Sequence, residues 1–120
     1  MQKKLFIITG EASGDMHAAR VVSEIQKNNN DIIIEGIGGQ NLENCGVKLF
    51  SGQEKMSAMG ASPKIVFNHL TLGIRLVNYL INDYKPDMVL LVDYGAFNLN
   101  IAKALKKRNK NIKIFYYIPP

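Results

Sequence analysis

Four short, mainly apolar runs are the feature that most restricts the fold. They occupy residues 4–9, 32–37, 88–92 and 112–117. Alternating polar and apolar residues are typical of a sheet with one wet face, whereas a continuous apolar run suits a strand that is covered on both faces. The sequence therefore predicts a parallel sheet with helices on both sides.

Helical periodicity occupies the segments between these runs. Apolar residues recur three and four positions apart after residue 15, again from about 65 to 84, and between 99 and 109. A further short strand is expected at residues 47–50, and Asn98 is expected to cap the last helix. Residues 51–63, interrupted by glycine and proline, are expected to form a loop. This order predicts a doubly wound, Rossmann-like α/β sheet with right-handed crossovers.

Composition limits the class of protein. The chain has 120 residues, of which 47% are hydrophobic and 21% charged, as expected for one folded domain. Cys45 is the only cysteine, so an internal disulfide and a cysteine-based metal site are excluded, and a cytoplasmic location is expected. No apolar run approaches the roughly 20 residues that span a bilayer, so any membrane contact is expected to be peripheral.

The glycine-containing turn at residues 10–15 is the first candidate site. In a doubly wound sheet, ligands bind where strands end, which here means residues 10–15, 36–39, 93–98 and 118–120. Gly10 and Gly14 allow a sharp turn into a helix whose first amides can bind an anion. An equally good interpretation of the turn alone is that Ser13 or Asp15 only caps that helix.

Common cofactor motifs are not matched at this turn. A dinucleotide fingerprint would need glycine in place of Ala12 and Asp15, and no Gly-Lys-Ser or Gly-Lys-Thr of a P-loop follows. Metal-binding spacings such as His-x-x-x-His are also missing from the sequence. We therefore expect neither a cofactor nor a metal.

Three titratable side chains could do chemistry at the strand ends. Asp93 follows the third strong strand and could accept a proton from a substrate hydroxyl, or simply cap a turn. Glu11 could be a second carboxylate of the site or a solvated residue of the first helical turn. His17 could be a base, although a partly buried surface histidine is the more common outcome.

Two surface features point to an anionic or lipidic partner. The net charge of +5 includes a basic helix face at residues 103–110, which is either solvated or contacts lipid headgroups or an acidic partner. No aromatic residues are interleaved with these charges, so nucleic-acid binding is not expected. An apolar group near the glycine-containing loop could contact a membrane or acyl chains: Met56, Met59, Ile65, Val66, Phe67 and Leu70.

Several motifs together resemble one family over the whole chain. They are Gly-Glu-Ala-Ser-Gly-Asp at 10–15, Gly-Ile-Gly-Gly at 36–39, Met-Gly at 59–60, Lys-Pro-Asp at 85–87, Asp93 with Phe-Asn-Leu at 97–99, and Tyr-Tyr-Ile-Pro-Pro at 116–120. This combination resembles the N-terminal portion of the lipid-A-disaccharide synthases. The resemblance implies an inverting glycosyltransferase of GT-B type, built from two Rossmann-like domains.

The resemblance also implies a reaction and roles for individual residues. The family joins UDP-2,3-diacylglucosamine to 2,3-diacylglucosamine 1-phosphate and releases UDP, on the inner face of the inner membrane. Asp93 matches the family's essential aspartate and is the expected base. The residues expected to bind substrate are Gly10, Glu11, Ser13, Gly14, Asp15, Gly38, Gly39, Phe97 and Asn98. Two departures are Gly95 in place of a proline and residues 61–64 in place of Val-Glu-Val-Leu.

The domain organisation follows from the same resemblance. Residues 1–120 are expected to be a truncated acceptor-side domain without the UDP-sugar domain, and hence inactive in sugar transfer on their own. Two alternatives stay open: a stand-alone α/β module that binds a phosphorylated small molecule, and another nucleotide-sugar enzyme such as an epimerase.

Overall fold

The sheet is entirely parallel across the part of the chain that can be described. The computed structural model describes residues 3–10, 12–28, 31–52, 63–92 and 95–117, and its side-chain description excludes residues 12, 13, 51, 52 and 63–70. The strands are β1 (Lys3–Thr9), β2 (Ile32–Gly38), β3 (Lys48–Gly52), β4 (Met88–Val92) and β5 (Lys113–Tyr117). They pair in the order β3-β2-β1-β4-β5. The predicted doubly wound α/β class is confirmed.

Helices connect these strands. They are α1 (Ala12–Asn28), α2 (Gln40–Asn44), α3 (Pro63–Tyr79) and α4 (Gly95–Arg108), and a π-helical segment, Leu80–Tyr84, continues α3. The long amphipathic helix predicted at about residues 65–84 is therefore confirmed. It ends because Lys85 adopts a left-handed conformation (φ 53°, ψ 64°) and Pro86 follows.

The central strand β1 is buried on both faces because its side chains alternate between two apolar cores. Leu5 and Ile7 pack with Ala18 and Val22 of α1 on one face. Phe6 packs on the other face, in the core that contains the buried apolar residues of α3, the π-helical segment and α4: Leu76, Leu80, Ile101 and Leu105. The continuous apolar run at residues 4–9 reflects this two-sided burial.

Local predictions differ from the structure at three places. Of the loop expected at residues 51–63, Ser51 and Gly52 belong to β3 and Pro63 begins α3, while residues 53–62 lie outside the described residues. The five-residue helix α2 was not predicted, because Leu42 is the only residue that it buries and its N-cap, Gly39, has no side chain. Asn98 was expected to cap the last helix, which is wrong: α4 begins at Gly95, and Asn98 is fully buried within its first turn. Asparagine is favoured at N-caps, but here packing of the first turn places it inside the helix.

Aromatic side chains join the π-helical segment to the sheet. The hydroxyl of Tyr84 lies 2.9 Å from the carbonyl oxygen of Leu5 and 3.0 Å from that of Ile33, so it can donate to either. Tyr79 stacks on Tyr84, with ring centroids 6.1 Å apart, and donates a hydrogen bond to Glu35. The two tyrosines thus connect the end of the long helix to β1 and β2.

Both phenols are held in the protonated state. Burial, followed by the negative charge of Glu35, raises the pKa of Tyr84 well above its usual range. Burial, the hydrogen bond to Glu35 and its charge raise the pKa of Tyr79 to about 12 from the ordinary value of 10.0. A raised phenol pKa stabilises the fold below pH 10, and this contribution is lost as the pH rises toward 12.

We therefore expect Tyr79→Phe to reduce the loss of stability at alkaline pH. Wild-type protein should lose free energy of unfolding between about pH 10 and pH 12 because Tyr79 ionises earlier in the unfolded chain than in the fold. The variant lacks this titration and should show a shallower decline over the same window. Urea denaturation followed by circular dichroism at a series of pH values measures the difference. Tyr116→Phe, at an exposed position of β5, is the control, and equal slopes for Tyr79→Phe and wild type would contradict the assignment.

Candidate functional site

The point where the sheet reverses its direction of growth lies between β1 and β4. These neighbours pair up to Thr9 and Val92. The helix after β1 packs on one face of the sheet, while the helix after β4 contributes to the core on the other face. Diverging helices leave a crevice at the carboxyl ends of two such strands, which is where doubly wound proteins bind ligands. Residue 10 follows β1 and residue 93 follows β4 in the sequence, so the strands that lead to both predicted motifs are adjacent.

The first turn of α1 packs directly onto the ends of these strands. Gly10 is buried. A Cβ atom placed on Gly14 would lie 3.6 Å from side-chain atoms of both Thr9 and Val92, which is ordinary van der Waals contact. The N-terminus of α1 therefore adjoins the crevice, as the glycine-turn motif predicts.

Asp15 joins the first glycine motif to the second. Its carboxylate is 4% exposed and accepts hydrogen bonds from the backbone N–H groups of Gly39 (2.8 Å), Asn41 (3.0 Å) and Leu42 (3.2 Å). These amides belong to the first turn of α2 and its N-cap. Asp15 thus caps α2, which is a different helix from the one that the sequence-based alternative considered.

A second contact holds the same two strand ends together. The hydroxyl of Thr9 donates to the carbonyl oxygen of Ile37 at 3.1 Å. A Cβ atom on Gly38 would lie 3.0 Å from the Thr9 hydroxyl and 3.2 Å from an Asp15 carboxylate oxygen. The structure therefore brings Gly10, Gly14 and Asp15 together with the turn at Gly38 and Gly39.

His17 and Tyr117 lie on the β5 side of α1. Their ring centroids are 6.3 Å apart, and both side chains are partly buried. Tyr117 is the last residue of β5, so it approaches the carboxyl edge of the sheet from the side opposite to β2. Tyr117 belongs to the Tyr-Tyr-Ile-Pro-Pro motif at 116–120, but no role at the site was predicted for it, although its position at the end of a predicted strand was the available signal.

Several of the predicted residues are described only in part. Glu11, Asp93, Met56 and Met59 lie outside the described residues, and their predicted roles stay predictions. Ser13 is described by its backbone in α1 alone. The same holds in α3 for the remaining apolar residues proposed to contact lipid: Ile65, Val66, Phe67 and Leu70.

Phe97 and Asn98 belong to α4 and pack toward the interior. Phe97 is partly buried against the core beneath α3 and α4, and its ring lies 3.7 Å from the position of a Cβ atom on Gly73. Asn98 is fully buried. Their expected contacts with substrate stay predictions, since the described contacts of Phe97 lead toward α3.

Two depressions lie away from the strand ends that carry the glycine motifs. A groove of about 600 Å³ between α3 and α4 is lined by Gly73, Ile74, Val77, Phe97, Lys107 and Arg108, among others. A larger open depression of about 1250 Å³ includes Lys3, Asp31 and Lys113, at the amino ends of the strands. Because ligands of doubly wound sheets bind at the carboxyl ends, the larger volume does not identify the reaction site.

Neither a metal cluster nor a spanning helix is found in the described ranges. Among residues 3–10, 12–28, 31–52, 63–92 and 95–117, no three His, Cys, Asp or Glu side chains are grouped so that they could hold a metal ion. Within those same ranges, none of the helices has the length and apolar character needed to cross a bilayer.

Comparison with known proteins identifies the family. A model described as lipid-A-disaccharide synthetase matches residues 5–120. The chain belongs to this family. Lipid-A-disaccharide synthase 1 of Legionella pneumophila strain Philadelphia 1 is 39% identical over 118 residues, which cover 98% of this chain and 30% of that protein. The lipid-A-disaccharide synthase of Syntrophus aciditrophicus is 39% identical over 126 residues with the same coverage. The chain thus spans about a third of these synthases.

Solved structures support the fold of this synthetase-family chain. A UDP-N-acetylglucosamine 2-epimerase superposes with a TM-score of 0.66 at 18% identity, covering 97% of this chain and 33% of that one. A UDP-GlcNAc 2-epimerase from Neisseria meningitidis gives a TM-score of 0.53 at 19% identity, covering 95% and 32%. At such low identity the likeness supports the architecture alone, and it agrees with the predicted GT-B-like fold.

Gly14 and Gly36, one from each glycine motif, are expected to respond differently to substitution by alanine. A Cβ atom on Gly36, in the interior of β2, would clash with the carbonyl oxygen of Ile7 on the neighbouring strand. We expect Gly36→Ala to cost about 1–3 kcal/mol, as for other overpacked sites. Gly14→Ala, which has ordinary contact distances and lies in a helix, should stay within about 1 kcal/mol of wild type.

Denaturant unfolding of the two alanine variants beside wild type measures this contrast. Gly14→Ala serves as the matched control, because both substitutions add one methyl group to a buried glycine. A destabilisation of similar size in both variants would contradict the steric assignment.

Proposed function

We propose that the protein containing this chain transfers 2,3-diacylglucosamine from UDP to the 6-hydroxyl of 2,3-diacylglucosamine 1-phosphate, making the β-1,6-linked lipid A disaccharide and releasing UDP. The single observation that carries this proposal is the family match over residues 5–120. The geometry is consistent with it, because the first glycine motif adjoins the crevice between β1 and β4, and Asp15 joins that motif to the second. Residues 1–120 would form the acceptor-side domain, and the UDP-sugar would be bound by a second domain of the longer protein.

Asp93 would act as the general base. It would accept the proton of the acceptor hydroxyl as the hydroxyl oxygen forms a bond to the anomeric carbon and the bond to UDP breaks on the opposite side. This route gives inversion at that carbon and needs no metal for the proton transfer. The support for Asp93 is its match to the family motif and its place directly after β4, next to the strand that leads to the glycine turn.

The glycine motifs would form the acceptor wall of the cleft. The buried Gly10 and the close packing of Gly14 on Thr9 and Val92 place the start of α1 beside the strand ends. Amide groups of a helix's first turn favour an anion such as the acceptor phosphate. Glu11 and Ser13 are proposed to contact the acceptor from the same turn.

In the full-length protein, Asp93→Asn should lower kcat by about a hundredfold to ten-thousandfold, the usual contribution of a general base. Asparagine keeps the size of the side chain but cannot take up the proton. Disaccharide formation and UDP release, followed by chromatography of both products, measure the effect. Asp31→Asn, at an exposed position before β2, is the matched control and should keep wild-type activity. Wild-type kcat in Asp93→Asn would rule out the proposed base.

The same assay separates the two other candidate functions. Conversion of a UDP-sugar to its epimer without disaccharide formation would identify an epimerase. Binding of a phosphorylated sugar without any turnover by the full-length protein would identify a binding module.

Peripheral contact with the inner face of the inner membrane is the second part of the proposal. On the face formed by α3 and α4, Ile74 is 57% exposed beside the groove that also includes Lys107 and Arg108. Lys103 is exposed on the same helix as these two cations. An apolar surface flanked by basic residues suits a bilayer with anionic headgroups. Such contact would bring the acylated substrates to the enzyme without extraction into water.

Charge reversal on this face should weaken vesicle binding. We expect Lys103→Glu with Lys107→Glu to lower the affinity for vesicles that contain phosphatidylglycerol by at least about tenfold, since each lysine near an anionic surface contributes about 1 kcal/mol. Co-sedimentation measures binding. Lys27→Glu with Lys48→Glu, at exposed positions of α1 and the edge strand β3, is the control with the same change of net charge. Equal losses in the two double variants would argue against a specific membrane face.

A further inference from the structure

We propose that Asp15 is a positioning residue, which holds the Gly38–Gly39 turn in place by capping α2 from a different helix and does not itself contact the substrate. The inference rests on the proposed function for its catalytic consequence. It assigns a role to Asp15 that differs from the direct substrate contact expected from the family resemblance.

The carboxylate of Asp15 accepts hydrogen bonds from three backbone amides at the start of α2. Oδ1 of Asp15 accepts from the N–H groups of Gly39 and Leu42, and Oδ2 accepts from that of Asn41. In α2, Asn41 and Leu42 are the second and third helical residues, whose amides are normally satisfied by the side chain of the N-cap. The N-cap here is Gly39, which has no side chain, and no side-chain cap is formed from that position.

The burial of Asp15 argues against a direct contact with substrate. Its side chain is 4% exposed and accepts hydrogen bonds from the backbone amides of the turn that it caps. A single methyl group on Gly38 would already reach 3.2 Å from Oδ1. Three backbone amides fill three of the roughly four acceptor positions of this carboxylate, and its burial restricts access of a substrate to the fourth.

Helix α2 depends on an external cap because it is short. It has five residues and buries only Leu42, whereas isolated helices below about 12 residues are marginal in water. A negative charge at its N-terminus interacts favourably with the helix dipole and with the first amides, which have no acceptor within the helix. Loss of the carboxylate would therefore loosen the turn before α2 as well as the helix.

The functional consequence is a fixed relation between the two glycine motifs. Asp15 extends from the first motif, and Gly38 and Gly39 form the second. The Thr9 hydroxyl bond to Ile37 is a separate tie at the strand ends, so it would keep β1 and β2 in place when the cap is lost. Loss of Asp15 should thus affect the turn selectively.

A double-mutant cycle on the full-length protein tests this role. Gly39 has φ −119° and ψ −154°, a conformation that serine can adopt. In Gly39→Ser, the new hydroxyl would be the N-cap acceptor for the amide of Asn41 or Leu42. The variants are Asp15→Ala, Gly39→Ser and the combination of both. Each is compared with its own parent, so that any effect of Gly39→Ser alone cancels.

We expect Asp15→Ala to lower kcat/KM by about tenfold to a hundredfold, as a misplaced wall of a site does. In the Gly39→Ser protein, Asp15→Ala should lower kcat/KM by a several-fold smaller factor than in wild type. It should also lower the thermal midpoint by less. Rescue of the midpoint without any rescue of kcat/KM would overturn the proposal, because the carboxylate would then act on the substrate. An unchanged midpoint in Asp15→Ala, or no rescue of it by Gly39→Ser, would overturn the cap itself.

Two further measurements keep the outcomes separate. If Asp15→Ala does not fold, recovery of folded protein in the double variant supports the cap, and Asp15→Asn, which keeps Oδ1 but replaces the acceptor for Asn41, should lie between wild type and Asp15→Ala. If the wild-type protein makes no disaccharide, the proposed transferase activity fails. The thermal midpoints of the four proteins still decide whether Asp15 caps α2.

Discussion

The structure depends on the burial of β1 on both faces. Leu5 and Ile7 belong to one apolar core and Phe6 and Ile8 to the other, and each is at most 3% exposed. A strand with two dry faces must have neighbours on both edges and helices above and below, because its backbone groups and side chains have no access to water. The adjacent β2 and β4 satisfy the edges. Strands β2 and β3 are added on one side of β1 and strands β4 and β5 on the other, so the direction of sheet growth reverses beside β1, where the crevice lies.

The architecture could be predicted because its signals are local. Continuous apolar runs mark the strands, and helical periodicity marks α1, α3 and α4, so the order of elements and the parallel sheet were accessible without coordinates. Helix α2 gave no such signal, since one buried leucine makes no periodic pattern. The start of α4 was misplaced for a related reason: the capping preference of asparagine is weaker than the burial of Asn98 in the first turn.

The position of the site at the strand ends could be predicted from the sequence, whereas most of its side-chain contacts could not. Because ligands bind at strand ends, both glycine motifs could be predicted as parts of the site. The hydrogen bonds that join them, from the Gly39 amide to Asp15 and from the Thr9 hydroxyl to Ile37, could not. No pattern in the sequence indicates that a residue of α1 serves the amides of α2, because donor and acceptor are more than twenty positions apart. The ring contact between His17 and Tyr117 could not be predicted from the sequence either, because it depends on β5 pairing with the far edge of β4.

The cap that Asp15 supplies also has a consequence for the order of folding. A helix with its own N-cap can form as soon as its local chain collapses, but α2 must wait until α1 has docked beside β2. Its formation is therefore coupled to a non-local contact, and such contacts are made late because the intervening chain must first lose its freedom. The segment after the second glycine motif would then be among the last parts of the described chain to become ordered. It would also be among the first to open when the native state fluctuates.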